Sequence, residues 1–135
     1  MVITMSPRRQ RTVEPRHEAA QLYGQLIVSQ LVSGHVPFAQ TRFGVARRSG
    51  VTVHVGSGGG VIIIRPLVRV RLRKAPEECR ALLKRCLPPL YQLIQPVLGE
   101  SAYRSMVQID ESRSIPALVV GVPKAEGLKR LLQHG

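Results

Sequence analysis

Apolar and polar positions alternate most clearly in two neighbouring stretches of the chain. Val51-Thr52-Val53-His54-Val55 puts valine on one side and Thr52 and His54 on the other. Residues 61–73 begin as a solid apolar run, Val61 to Ile64. They then alternate, with Val68, Val70 and Leu72 apolar and Arg65, Arg69, Arg71 and Arg73 cationic, Leu67 being the exception. Successive side chains of a strand point to opposite faces, so a period of two predicts strands with one buried and one displayed face. Gly56-Ser57-Gly58-Gly59-Gly60 joins the two stretches, which predicts a β-hairpin. Pro66 lacks an amide donor, so the second strand is expected to be at an edge there or to carry a bulge.

Helical periodicity brackets this hairpin. Pro15 suits a first helical position, with Glu14 and Glu18 near the positive end of the dipole. Ala19, Leu22, Tyr23, Leu26, Ile27 and Leu31 follow one face, and Gly34 is a stop, predicting a helix over residues 15–33. Gly24 inside it suggests close packing against another backbone. Pro76, Glu77 and Glu78 open a second helix whose stripe is Cys79, Leu82, Leu83, Cys86, Leu87 and Leu90. Pro88 and Pro89 remove two amide donors, so this helix is expected to end or kink at Leu87, with a further short helix over residues 90–95.

Residues 103–109 read as strand over helix, 110–114 as a turn and 115–122 as a buried strand. A terminal helix after Pro123 has Leu128, Leu131 and Leu132 inside. Residues 35–50 read as a basic loop with a short strand at residues 41–46, in which Phe38 and Phe43 anchor to the core. The order α-β-β-α-β-β-α predicts an α+β fold of two layers: a mostly antiparallel sheet of about four strands with helices on one face. Residues 14–135 form one such domain, and residues 1–13, with Arg8, Arg9 and Arg11, read as a flexible basic arm.

Charge changes the picture. The 135 residues carry 20 Lys and Arg against eight Asp and Glu, a net charge of +12, and sixteen of the cations are Arg. Such an excess favours phosphate-rich partners. A strand that buries aliphatic groups beneath and spaces arginines about 6.7 Å apart above presents a row of planar guanidinium forks to anionic oxygens. Repulsion between neighbours in such a row is about 0.6 kcal/mol in water, so the free protein tolerates it. The expected function is sequence-nonspecific nucleic-acid binding through the phosphate backbone, RNA ahead of DNA and duplex or structured RNA ahead of single strands. Its candidate residues are Arg65, Arg69, Arg71 and Arg73 with Arg47, Arg48, Arg8, Arg9 and Arg11. Only five aromatic residues are present, and none interleaves with Arg69 to Arg73, which disfavours base stacking.

Other chemistry is poorly supplied. His17, His35, His54 and His134 show no metal-ligand spacing, and Cys79 and Cys86 form no Cys-x-x-Cys, so neither a metal site nor a cofactor is expected. The glycine loop lacks the Lys and Ser/Thr of a phosphate loop and leads into a strand rather than a helix. Its Gly56-x-x-Gly59 resembles a backbone clamp that elsewhere joins helices. Acids cluster too little for two-metal hydrolysis, and Ser57 with His54 is too generic for a nucleophile pair, so an enzyme is not expected. On one helix the two cysteines lie about 10.5 Å apart, too far for a bridge, and suit a reducing compartment, cytoplasmic or nuclear. No transmembrane segment or signal peptide is expected. The alternative reading is a viral- or phage-type accessory or structural protein working through protein contacts, with edge strands and the Leu82/Leu83/Leu90 stripe building a homodimer. An anionic membrane surface is a third partner class for the same arginines.

Overall fold

The computed structural model describes residues 15–39, 49–68 and 75–134. Helix α1 (Pro15–Ser33) precedes the hairpin of β1 (Ser49–Val55) and β2 (Val61–Val68). Helix α2 (Ala75–Leu98), a short α3 (Glu100–Met106), strands β3 (Val107–Asp110) and β4 (Ala117–Gly121), and α4 (Ala125–His134) follow. The described strands form one antiparallel sheet in the order β1-β2-β4-β3. The helices pack on one of its faces, as expected of an α+β chain. Among the described residues, the additions to the expected element order are α3 and a 3-10 turn at Ser57–Gly59 in the hairpin connection.

The register explains the pattern of the central strand. β4 pairs with β2 only from Val61 to Ile64, whereas β1 pairs with it from Ile62 to Val68. The solid apolar run is therefore the doubly flanked part, and alternation begins where one neighbour drops away. Pro66 lies beyond Ile64, in the singly flanked part. Its cross-strand partner Val51 directs its amide and carbonyl away from β2, to Pro37 and Ala39, so Pro66 and Val51 are a non-hydrogen-bonded pair. The missing donor of Pro66 therefore points to the side where β4 has already ended, and no ladder bond is lost.

Ile62, Ile64, Leu118 and Val120 are fully buried on the helix-facing side, together with Val51. They meet Ala20, Tyr23, Ile27 and Leu31 of α1 and Leu83, Cys86, Leu90 and Ile94 of α2, all 0% exposed. Leu128 and Leu131 of α4 close the cluster, while Leu132, expected inside, is 37% exposed. The Tyr23 hydroxyl is buried with no hydrogen-bond partner among the described residues, and burial raises its pKa. Gly24 does not mark a close backbone approach. A Cβ there would meet only Ile62 Cδ1, at an ordinary 3.8 Å.

Two helix ends differ from the sequence expectation. Helix α2 does not stop at Leu87 but runs through Pro88, Pro89 and Pro96 to Leu98. Each proline costs about 3 kcal/mol in a helix interior. The carbonyls left without donors, those of Lys84, Arg85 and Gln92, belong to exposed residues where water replaces the lost bond. Leu83 and Cys86 before the prolines and Leu90, Leu93 and Ile94 after them continue one buried stripe. At about 1.5–3 kcal/mol per buried large aliphatic side chain, that stripe offsets a cost of the same order. The same burial takes Leu82, Leu83 and Leu90 out of any dimer contact, because all three belong to the chain's own core. Residues 103–109 divide between the two alternatives: helix through Met106, strand from Val107.

At the end of α1 the left-handed residue is His35 (φ 63), not Gly34. Val36 N–H donates to Leu31 and His35 N–H to Val32, a Schellman motif with histidine where glycine is usual. Gly34 serves packing instead: a Cβ there would be 2.7 Å from Pro89 Cγ on α2. Relieving the strain at His35 gives a direct check. His35→Gly is expected to stabilise the fold by roughly 0.5–1 kcal/mol, read from the urea midpoint at unchanged slope. A loss of stability would show that the imidazole makes a compensating contact.

Candidate nucleic-acid interface

Cross-strand partners share a face, so the register fixes which side chains lie opposite the helices. On β1 they are Thr52 and His54, and on β2 Val61, Ile63, Arg65 and Leu67. On β4 they are Ala117, Val119 and Gly121, and on β3 Gln108 and Asp110. No described element covers this face. Arg65 is exposed there, and among the described residues it makes no salt bridge. Thr52, its cross-strand partner, is hydrogen-bonded through Oγ1 to His54 Nε2 at 2.9 Å. Asp110 stands on the same face, opposite Ala117 of β4. Its carboxyl is held below the usual range by Ser112, first through the serine side chain and then through the backbone N–H, which donates to Oδ1 at 2.9 Å.

Of the nine arginines singled out from the sequence, Arg65 is the one the structure describes, and it stands on the open face. Arg69, Arg71, Arg73, Arg47, Arg48, Arg8, Arg9 and Arg11 lie outside the described residues, as do Phe43 and the strand expected at residues 41–46. The points from which two of these stretches depart are well defined. Ser49 and Val68 are cross-strand partners. Arg48 immediately precedes the first and Arg69 immediately follows the second. Residues 40–48 and 69–74 therefore join the sheet side by side, at the end of the hairpin opposite the glycine turn.

Charge is partitioned in the same way. Residues 1–14, 40–48 and 69–74 hold ten of the 20 Lys and Arg but only one of the eight acids, Glu14. Nine of the twelve net charges thus reside in these three stretches, and the described residues carry the other three. Within the described part, acids pair off some of the cations: Arg80 with Glu111 at 3.0 Å and Arg104 with Glu100 at 3.1 Å. Glu100 also accepts from the Tyr91 hydroxyl, and this bond, ahead of Arg104, keeps its carboxyl below the ordinary range.

The described part of the open face is mostly an aliphatic strip, Val61, Ile63, Leu67, Ala117 and Val119, with the guanidinium of Arg65, and the rest of the expected arginine row lies outside the described residues. The signal was present in the solid run Val61 to Ile64. Four consecutive apolar residues on a strand place two on each face.

The remaining chemistry is structural. Burial pushes the Cys86 thiol up to about 12, against the opposing effect of Arg85. Burial, reinforced by Glu78, also raises Cys79. Neither sulfur offers a thiolate nucleophile at neutral pH. Phe38 packs against the core, and Tyr91 and Tyr103 stack edge to face at 4.8 Å between α2 and α3. Among the described residues, no aromatic ring stands on the open sheet face, and no three of His, Cys, Asp and Glu gather as metal ligands would. None of the described helices is long and apolar enough to cross a membrane. No family model, curated protein or solved structure matches the chain.

Proposed function

We propose that the protein binds nucleic acid through the phosphate backbone, without sequence preference, and that duplex or structured RNA is its preferred partner. The observation that carries this reading is the placement of charge. Two strongly basic stretches adjoin the cross-strand partners Ser49 and Val68 in the chain, beside a face on which Arg65 is exposed and, among the described residues, makes no salt bridge. Cations tethered at one end of a rigid sheet act on one polyanion together, and each phosphate neutralised releases counterions. The lack of a ring on the described open face argues against reading unstacked bases.

Affinity for a 20-base-pair RNA duplex, measured by fluorescence anisotropy between 50 and 300 mM salt, tests the proposal. Four phosphate contacts predict a log–log slope of roughly −3.6 on duplex DNA, and a similarly steep slope is expected on RNA. Scrambling the sequence is expected to leave affinity within a few fold. An affinity insensitive to salt would overturn the reading, as would no binding at 50 mM.

A further inference from the structure

Among the described residues, main-chain groups on the outer edge of β1 have no partner, and they lie beside a groove lined by no Asp, Glu, Lys or Arg. Residues 37–39 run parallel to β1 for one step only: Val51 N–H donates to Pro37, and Ala39 N–H donates to Val51. Ala39 is the last described residue of that segment. Alternation along the strand makes Val53 and Val55 the next residues to point N–H and C=O outward. Among the described residues nothing bonds those four groups. Next to them, α1 and β1 enclose a groove of about 530 Å³, in which Gly24 and Val28 face Val53 and Val55, with His17 and Gln21 along the rim. Gly24 leaves this space open because it has no side chain to fill it.

Edge strands usually carry protection: a lysine, a proline, a bulge or very short length. Strand β3, the opposite edge, has four residues and ends in Asp110. Strand β1 has seven residues, Ser49-Gly50-Val51-Thr52-Val53-His54-Val55, with no charge and no proline. In a chain of net charge +12, it and the groove form a surface on which two copies meet without opposing described cations. The segment also matches itself, since Val53-His54-Val55 reads the same in both directions.

We infer that two copies of this chain pair antiparallel through β1, about a two-fold axis at His54, to make one eight-stranded sheet. Val53 of one copy then lies opposite Val55 of the other and exchanges both backbone bonds with it, twice by symmetry, using all four free groups. The valine side chains fall on the groove side. The two His54 side chains stand opposite each other on the open face, with Cβ atoms roughly 4.5–5.5 Å apart. This dimer does not depend on the nucleic-acid reading. It is to be tested on nuclease-treated protein in 0.5 M salt, where bridging by bound nucleic acid is removed.

Light scattering behind gel filtration is expected to give twice the 14.9 kDa chain mass for the wild type. His54→Asp and His54→Lys change an exposed side chain on the face opposite the helices, and circular dichroism checks that both still fold. Each alone puts like charges face to face and is expected to weaken the dimer at least tenfold, whereas an equimolar mixture restores it. Val53→Pro, which deletes an outward amide and no bond to β2, is expected to give monomer. The inference is overturned if the wild type stays monomeric at 100 µM. It is equally overturned if the two His54 variants remain dimeric and mixing them changes nothing.

Discussion

Replacing Arg69, Arg71 and Arg73 together by alanine is expected to flatten the salt dependence of duplex RNA binding by up to about 2.7 log units per decade. At 0.1 M salt it is expected to weaken affinity by roughly two orders of magnitude or more. Each arginine that contacts a phosphate contributes about 0.9 to the slope on B-form DNA, so the three account for most of the four proposed contacts. Arg65→Ala alone, at an exposed position that makes no salt bridge among the described residues, is expected to change the slope by about 0.9 and leave the melting temperature unchanged. Arginine-to-lysine replacement at the same three positions separates charge from geometry. It retains the slope, because counterion release counts charges, and weakens binding only as far as bidentate forks matter. A triple alanine variant with the wild-type slope would remove residues 69–73 from the mechanism. Residues 1–14 and 40–48 would then be left as the seats of binding, to be tested by the same substitution of Arg47 and Arg48.

The hairpin and the helix over residues 15–33 could be read from local signals alone, because each is set by a local rule. Period two in Val51 to Val55 and a proline at the first helical position need no tertiary context. The fate of Pro88 and Pro89 did need it. Their cost is local, but what offsets it is a stripe of contacts with α1 and the sheet, which no window of sequence displays. The same holds at Gly34. Its identity as a helix stop was visible, whereas its close approach to Pro89, 55 residues onward, was not. The sidedness of β2 was half visible. Alternation after Ile64 pointed to an open face, and the solid run before it concealed that Val61 and Ile63 belong to that face too. Of the candidate interface, the sequence supplied the residues and the charge. The register added that residues 48 and 69 adjoin paired positions, which a linear reading does not contain.

Ile62→Ala is expected to cost about 2–5 kcal/mol, a large part of the roughly 5–15 kcal/mol that holds a domain of this size together. Ile62 is fully buried at the centre of the sheet, paired with Val55 on one side and Val120 on the other, and its Cδ1 atom lies under Gly24 of α1. Truncation removes three buried carbons from a place where two strands and a helix limit collapse, so most of the cavity remains. Ile63→Ala removes the same atoms one residue later. Ile63 pairs with His54 and Val119 on the uncovered side, where water takes the vacated space, so its expected cost is below about 1 kcal/mol. The comparison is read from urea midpoints at constant slope. Its outcome bears on more than stability, since the candidate interface requires that successive residues of β2 face different surroundings. If Ile62 and Ile63 cost the same, the far side of the sheet is covered and Arg65 does not stand on an open surface. If they differ by several-fold, the sheet has one packed face and one free face, on which phosphate contacts can form without displacing any part of the fold.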